Sequence, residues 1–292
     1  MTSPTPHLLD LKRESKLWCL LPGCDKKSRL EASGVLANDG RFHIIFDNDA
    51  TIASIDTSLE KRPTNRIVRA VGVHCEEEYG FEDITFSDSL QRFYTLVETR
   101  WHPGKGFRPQ IVEYTLGFDY LETCWVNVTF KKENKGLEGI VCLTRKNDEY
   151  VLGLCEGNWC RGGDAGRKPG GGRIHVLRKR DGAWESIAEI KLPESLPFED
   201  YASMALLDDR LAVLSQESAQ LWIGELAPDR WEIVDEGTVY GFPNGKKEYS
   251  NLEGISWLDD RTFVAVSDRR KKNDQPKRCA KRDQSVHIFE LF

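Results

Sequence analysis

The chain has 292 residues, a formal net charge of −6 and 39% hydrophobic residues, which is typical of a globular protein. No apolar stretch reaches the roughly 18 residues that a transmembrane helix needs. The N-terminal 21 residues lack the basic segment, apolar core and small-residue cleavage site of a secretion signal. We therefore expect a cytoplasmic protein that makes no membrane contact.

A segment led by a glutamate recurs five times along the chain. In order, the segments start at Glu31, Glu82, Glu138, Glu199 and Glu253, with spacings of 51, 56, 61 and 54 residues. Each continues as an apolar strand, a turn rich in Asp, Asn or Gly, and a second and third strand. A repeat of 50 to 60 residues built from short strands is typical of a propeller blade.

Four repeats continue into a fourth strand, whereas the fifth stops at Phe292. We predict that Lys16–Leu21 ("KLWCLL") supplies the missing strand, so that both termini share one blade and the ring has no open edge. The prediction is an all-β, five-bladed β-propeller with four-stranded blades, forming a single domain over residues 1–292. Six blades, or a β-sandwich with coincidental spacing, are the alternatives.

Acidic residues mark both ends of each inner hairpin. The leading glutamate starts the first strand, and a second acidic residue follows the neighbouring antiparallel strand, so both sets should crowd one mouth of the channel. The second set is Asp47, Glu98, Glu156, Glu217 and Asp268, with Gln216 as the alternative in the fourth repeat.

Converging carboxylates repel one another, which raises their pKa values or requires a cation. Oxygen ligands favour Ca²⁺ or another hard divalent cation. The predicted metal ligands are Glu31, Glu82, Glu138, Glu199 and Glu253. The alternative is that each glutamate accepts backbone hydrogen bonds from the next blade and acts as a clip between blades; one carboxylate can do both.

Basic residues concentrate in three loops that are predicted at the same mouth: 99–109, 157–173 and 269–284. A basic rim around an acidic centre suits an anionic small-molecule substrate, and indole rings can stack on its base or sugar. The predicted substrate-binding residues are Arg100, Trp101, Trp159, Arg161 and Arg269. The alternative is that these charges only solvate their loops. Nucleic acid is not an expected partner of this acidic chain.

Candidate acid–base groups are Glu98, Glu156 and Asp268, with His102 the best placed of the six histidines. Two cysteine pairs, Cys19/Cys24 and Cys155/Cys160, have four residues between them. This spacing is wider than a zinc knuckle and lacks histidine partners nearby, so we predict reduced thiols.

Three passages resemble the calcium-activated nucleotidase (apyrase) family: "LEASGV" with Glu31 and Ser33, "FEDITFSDSLQRFYTL" with Glu82, and "LEGISW" with Glu253. Phytase-like and lactonase-type propellers are looser matches. The resemblance implies five blades, one axial calcium surrounded by Glu and Ser near the starts of inner strands, and hydrolysis of nucleoside di- and triphosphates. This chain departs from the family in having Glu in all five repeats and no secretion signal.

The sequence therefore predicts a calcium-dependent hydrolase acting on a phosphorylated or other anionic small molecule at the channel mouth. A lyase or lactonase acting on an acidic sugar, and a non-catalytic binding propeller, are the alternatives.

Overall fold

The computed structural model describes residues 7–70, 80–132, 135–269 and 279–292. The strands in chain order are β1 (His7–Leu8), β2 (Asp10–Lys16), β3 (Ala32–Asn38), β4 (Arg41–Phe46), β5 (Asp49–Asp56), β6 (Arg66–Arg69), β7 (Phe81–Ser87), β8 (Arg92–His102), β9 (Gly106–Tyr114), β10 (Tyr120–Val126), β11 (Leu137–Arg145), β12 (Asp148–Cys155), β13 (Arg173–Arg180), β14 (Ala183–Lys191), β15 (Ser203–Leu207), β16 (Arg210–Ser215), β17 (Gln220–Glu225), β18 (Thr238–Gly241), β19 (Leu252–Trp257), β20 (Thr262–Ser267) and β21 (Ser285–Glu290). The helices are α1 (Leu17–Leu20), α2 (Gly163–Gly166) and α3 (Lys246–Tyr249), with a 3₁₀ turn at Asn158–Cys160. Over the described ranges, no helix is long and apolar enough to cross a membrane.

Consecutive strands pair in antiparallel groups of four. The groups are β3–β6, β7–β10, β11–β14, β15–β18, and β19–β21 completed by β2, and we number them one to five. Groups two and three join at their outer edges, where β10 pairs with β14 in parallel over two residues. Because this pairing merges two groups into one eight-stranded sheet, the prediction of five blades stays a prediction.

The N-terminus completes the last group, but the predicted segment is wrong. The closing strand is β2, in which Asp10 pairs with Glu290 and Lys16 with Ser285. The predicted segment Lys16–Leu21 instead forms α1, whose Leu17 and Leu20 are buried between groups five and one. An outermost strand faces solvent, so the polar run "DLKRESK" suits it, whereas the apolar run fills the core.

Buried apolar side chains pack between each group and the next, including between group five and group one. Each interface has one cluster of buried residues to which both groups contribute. Examples of residues that share a cluster are Ile45 and Phe81, Leu96 and Val151, Val176 and Leu211, Leu214 and Phe263, and Val264 and Phe42. The apolar layers therefore form a closed ring, which is the arrangement of a β-propeller.

The inner strands β3, β7, β11, β15 and β19 contact one another around the central axis. They approach so closely that a Cβ on Gly34 would lie 2.8 Å from the Cα of Asp83, and one on Gly254 would lie 2.8 Å from the Cα of Gly34. The buried Asp83 carboxylate accepts hydrogen bonds from the Ile140 amide at 3.0 Å and the Ser203 hydroxyl at 3.3 Å. This packing closes the axis between two cavities, one at each end of the inner strands.

We predict that Gly254→Ala destabilises the protein by about 1–3 kcal/mol, because the new methyl group overlaps backbone atoms that cannot move aside. The control is Gly117→Ala, where the nearest atom to the new Cβ is 3.4 Å away on an exposed turn. Urea unfolding of both variants measures the difference. Equal midpoints for the two variants would contradict close axial packing.

Candidate functional site

In four of the five inner strands, a β-bulge sets which residue faces the cavity at the start of the strand. The register shifts at Ser33, Glu138 and Glu253, and across residues 82–83 in β7. The residue after each bulge packs on the axis. The five groups therefore contribute equivalent residues, which we call the axial ring: Ser33, Glu82, Glu138, Ala202 and Glu253.

This ring corrects two predicted positions. Glu31 lies two residues before its ring position and pairs with Arg29 at 2.6 Å, at the cavity edge. Glu199 lies three residues before Ala202 and pairs with Lys246 at 3.1 Å, in a neighbouring pocket. The expected ring of five glutamates is thus a ring of three glutamates, one serine and one alanine. The bulge and an irregular strand start account for the shift, since neither is visible in the spacing of the glutamates.

The cavity above the ring has a volume of about 350 Å³. Its second layer comes from the ends of the neighbouring strands, and its members are Asp47, Glu98, Glu156, Gln216 and Asp268. Gln216 takes the fourth position, and Glu217 lines the neighbouring pocket. The structure therefore brings the predicted acid–base candidates Glu98, Glu156 and Asp268 around the ring glutamates.

Glu82 and Glu138 form the electrostatic centre of the cavity. Both are partly buried, and their side chains share a hydrogen bond. Burial raises the pKa of Glu82 well above its usual range, and the carboxylates of Glu98 and Asp47 raise it further. Burial also raises the pKa of Glu138, followed by the charge of Glu82. A carboxyl pair of this kind holds a proton between its oxygens or exchanges it for a cation.

Ser33 supports the second possibility. Its hydroxyl oxygen is buried, lines the cavity, and has no hydrogen-bond partner among the described residues. A buried hydroxyl without a partner is costly, so the site favours a ligand that the oxygen can bind. Glu253 completes the donor set and accepts a hydrogen bond from Gln216. One neutral and three acidic oxygens fit a hard divalent cation.

The ring oxygens do not converge fully. In the described part of the chain, the sets of three donor residues with ligand atoms within 4.8 Å of one another lie elsewhere. A cation held here would therefore use Glu82 and Glu138 together and draw Ser33 and Glu253 toward them.

Backbone groups make the contacts between groups that the clip alternative assigned to the glutamates. The Gly80 amide donates to the Asp47 carbonyl at 2.8 Å, and the Tyr201 amide donates to the Glu156 carbonyl at 2.8 Å. These bonds join groups one and two, and groups three and four. The ring carboxylates are thus not needed for these two connections.

A second pocket of about 180 Å³, which we call the basic pocket, adjoins the acidic cavity. Its cationic lining residues, from which the name is taken, are Lys135, Arg161 and Arg167. It is also lined by Gln216, by glycines of the turn 157–166, and by four carboxyl side chains, those of Glu156, Glu199, Asp200 and Glu217. The two spaces share Glu156, Asp200 and Gln216 as lining residues. Lys135 also forms an ion pair with Glu156. Three cationic side chains thus lie, among carboxylates, in the space that adjoins the acidic cavity.

Asp200, at the boundary of the two spaces, was missed at the sequence level. Burial raises its pKa to about 6, although hydrogen bonds from the Ser215 hydroxyl and the Glu217 amide favour its charged form. A pKa in this range suits a general acid or base near neutral pH. The signal available in the sequence was the dipeptide Glu199-Asp200, in which only the glutamate matched the repeat.

Several predicted site residues lie away from the cavity. The predicted loop 99–109 is a β-hairpin, and it places Arg100, Trp101 and His102 on β8. Trp101 is 62% exposed, and His102 contacts the carbonyl of Pro103 and the ring of Trp125. None of the three lines either space.

The other two predicted basic loops, 157–173 and 269–284, differ in how they lie relative to the two spaces. The ring of Trp159 packs over Gly171, outside both spaces, while Arg161 lines the basic pocket. Arg269 follows Asp268 and its amide donates to the Asp268 carboxylate. Most of the basic run 269–284, residues 270–278, lies outside the described residues.

The prediction of reduced thiols is wrong for one pair. Cys155 and Cys160 form a disulfide that closes the turn between the acidic cavity and the basic pocket. Cys19 and Cys24 are free, as are Cys124 and Cys142. Cys75 lies outside the described residues.

Comparison with known proteins supports the fold. No protein-family model matches the sequence, and no curated protein matches it. Among solved structures, the glutaminyl cyclase of Myxococcus xanthus is similar with a TM-score of 0.58 and 11% identity, covering 99% of this chain and 100% of that chain. A luciferin-regenerating enzyme is similar with a TM-score of 0.50 and 10% identity, covering 90% of this chain and 78% of that chain. At these identities the similarity shows the fold alone, and the chain is a β-propeller.

We predict that, without divalent cations, the stability of the protein falls as the pH rises above about 4.3, the ordinary pKa of a glutamate. Above that value the unfolded chain has released protons that the folded Glu82–Glu138 pair still holds, because the folded pKa values are raised. The stability that this pair contributes is therefore complete below the ordinary glutamate pKa. It declines with rising pH until the pH exceeds the pKa of the folded state. Urea unfolding in EDTA across this range measures the slope.

The Glu82→Gln variant should show a smaller decline, because its amide cannot ionise. The control is Glu225→Gln, an exposed position on β17 that should keep the slope of the unmodified chain. Identical slopes in all three proteins would mean that the carboxyl pair does not hold a proton on folding.

Proposed function

We propose that the chain is a divalent-cation-dependent hydrolase that acts on a phosphorylated or otherwise anionic small molecule at the acidic cavity. The observation that carries the proposal is the junction of two spaces. One is an acidic cavity with a partnerless serine hydroxyl, and the other is the basic pocket, which adds three cationic side chains and shares three lining residues with the cavity. An acidic centre attracts a cation, and the adjoining basic groups attract the anion that the cation would polarise.

The cation would be held by Ser33, Glu82, Glu138 and Glu253, with Ca²⁺ as the first choice because all four donors are oxygens. When bound, it supplies a Lewis acid that polarises a phosphoryl or carbonyl oxygen. The bound cation also offsets the free-energy cost of desolvating the two ring carboxylates and holding them close together.

Residues of the chain supply the remaining roles. Lys135 and Arg167 would hold the anionic group of the substrate in the basic pocket, with Arg161 beside them. The candidates for removing a proton from water are Glu98, Glu156 and Asp268, to which Asp200 is added. Each of these carboxyl groups lines the acidic cavity, so each lies within the same space as the proposed cation.

A second candidate function needs no metal. The hydrogen bond between Glu82 and Glu138 requires a proton on one of them, so the pair itself provides a buried acid and its conjugate base. That arrangement fits proton transfer in a lyase or lactonase reaction. Activity that survives complete removal of divalent ions would favour this candidate.

We predict that Ca²⁺ at about 100 times its Kd stabilises the protein by about 2.7 kcal/mol and raises the Tm by roughly 4 °C. The Glu82→Gln/Glu138→Gln variant should show no such shift, and Ser33→Ala should show a smaller one at the same Ca²⁺ concentration. Differential scanning calorimetry with and without EDTA measures both effects. Equal shifts in the unmodified protein and the double variant would remove the axial ring as the cation site.

We predict that the chain releases phosphate from a member of a panel of nucleotides and sugar phosphates in the presence of Ca²⁺. Replacing the acting base should lower kcat by about 10²–10⁴, and the four single variants Glu98→Gln, Glu156→Gln, Asp200→Asn and Asp268→Asn identify it. Arg167→Ala should raise KM more than it lowers kcat.

The matched control for the anion pocket is Arg100→Ala, which changes an arginine on the β8–β9 hairpin outside both spaces. It should leave KM unchanged. A larger effect of Arg100→Ala than of Arg167→Ala would place the substrate on the hairpin instead. A chain that binds Ca²⁺ but hydrolyses none of the panel would indicate a binding propeller.

A further inference from the structure

The disulfide lies beside a histidine that the sequence spacing did not reveal. Cys155 is the last residue of β12, Cys160 lies in the 3₁₀ turn, and His175 is on β13, the strand that pairs with β12. The Cys160 sulfur is 3.6 Å from Nε2 of His175. The two sulfurs and one ring nitrogen all lie within 4.8 Å of one another.

The histidine ring is oriented for metal binding. Its Nδ1 atom is 2.9 Å from the hydroxyl oxygen of Ser186 on β14. When Nδ1–H donates to that hydroxyl, Nε2 carries the lone pair and faces the sulfur atoms. An outer hydrogen bond of this kind is the usual way in which a protein fixes the ring of a metal-binding histidine.

We propose that Cys155, Cys160 and His175 form a zinc site that is available when the disulfide is reduced. Two thiolates and one imidazole are preferred ligands of Zn²⁺, with Zn–S bonds of about 2.3 Å, whereas Ca²⁺ prefers oxygen. The site is distinct from the axial ring, which offers only oxygen donors. Cys160 and His175 are both partly exposed, so solvent can provide the fourth ligand.

The disulfide form converts to the zinc-binding form in two steps. A dithiol reductant gives two electrons and two protons to the Cys155–Cys160 bond and becomes a disulfide itself. The two thiols of the protein then bind Zn²⁺ as thiolates and release two protons. The bound ion would protect both sulfurs from reoxidation, because a thiolate that binds a metal is not free to attack.

The position of the site connects it to both spaces. Glu156 follows Cys155 and lines the acidic cavity, and Arg161 follows Cys160 and lines the basic pocket. The turn between the cysteines is therefore closed by a covalent bond in one form and by the ion in the other.

The test measures Zn²⁺ binding to the full chain before and after reduction, by competition with a chromophoric chelator. The reduced protein should bind one Zn²⁺ at the thiol site, and the oxidised protein should not. All measurements use the Glu82→Gln/Glu138→Gln background, so that the axial carboxylates do not contribute. Co²⁺ added to the reduced protein should give the charge-transfer absorption of a thiolate ligand, which a carboxylate site does not produce.

Variants assign the ligands. His175→Gln should weaken Zn²⁺ binding by at least tenfold, and Ser186→Ala should weaken it by about tenfold through the orientation of the ring. Cys160→Ser should remove the cobalt absorption, while Cys19→Ser, at an exposed free thiol, should leave it unchanged. The oxidised protein provides a control that needs no substitution and keeps the fold. Equal Zn²⁺ affinity of the reduced protein with and without His175, or no uptake after complete reduction, overturns the proposal.

Discussion

The close approach of the five inner strands at the axis is the constraint on which the rest of the structure depends. The positions that meet there carry Gly34, Asp83, Gly139, Ser203 and Gly254, and a larger side chain at the glycines would overlap backbone atoms. Asp83 fills the remaining space and ties β7 to β11 and β15 with its carboxylate. Because the axis is closed at this level, the residues one step earlier in each strand are forced together above it.

Those earlier residues are the axial ring. The close packing of the inner strands therefore brings the ring carboxylates together in the cavity. Glu82 and Glu138 are buried by the same ring of strands that brings them into contact, and burial is the largest cause of their raised pKa values. Hydrophobic packing between the groups holds the strands in place and compensates for the cost of this carboxyl pair. A proton, and in our proposal a cation, is the means of relieving that cost.

The repeat was visible in the sequence because strands, turns and a leading acidic residue recur at similar spacing, and the propeller is confirmed. The exact ring was not visible. In "LEASGV" the glutamate stands out, yet the glycine that packs on the axis places Ser33, not Glu31, in the ring. Aligning the repeats on the axial residue would have found Ser33 and Ala202. Cys155 and Cys160 lie close to His175 because β12 pairs with β13. This pairing cannot be read from the spacing of the residues along the chain.

The five groups contribute unequal numbers of charged side chains to the site. Group four contributes Ala202 to the ring and Gln216 to the second layer, so that side of the cavity carries fewer carboxylates than the others. The basic pocket opens on this same side, with Lys135 and Arg167 next to Gln216 and Asp200. Group four also contributes Glu199, Asp200 and Glu217 to that pocket, whereas the cations Lys135, Arg161 and Arg167 lie in the segments next to the strands of group three. In our proposal an anionic ligand would therefore be held by these cations, beside the side of the acidic cavity that carries the fewest carboxylates.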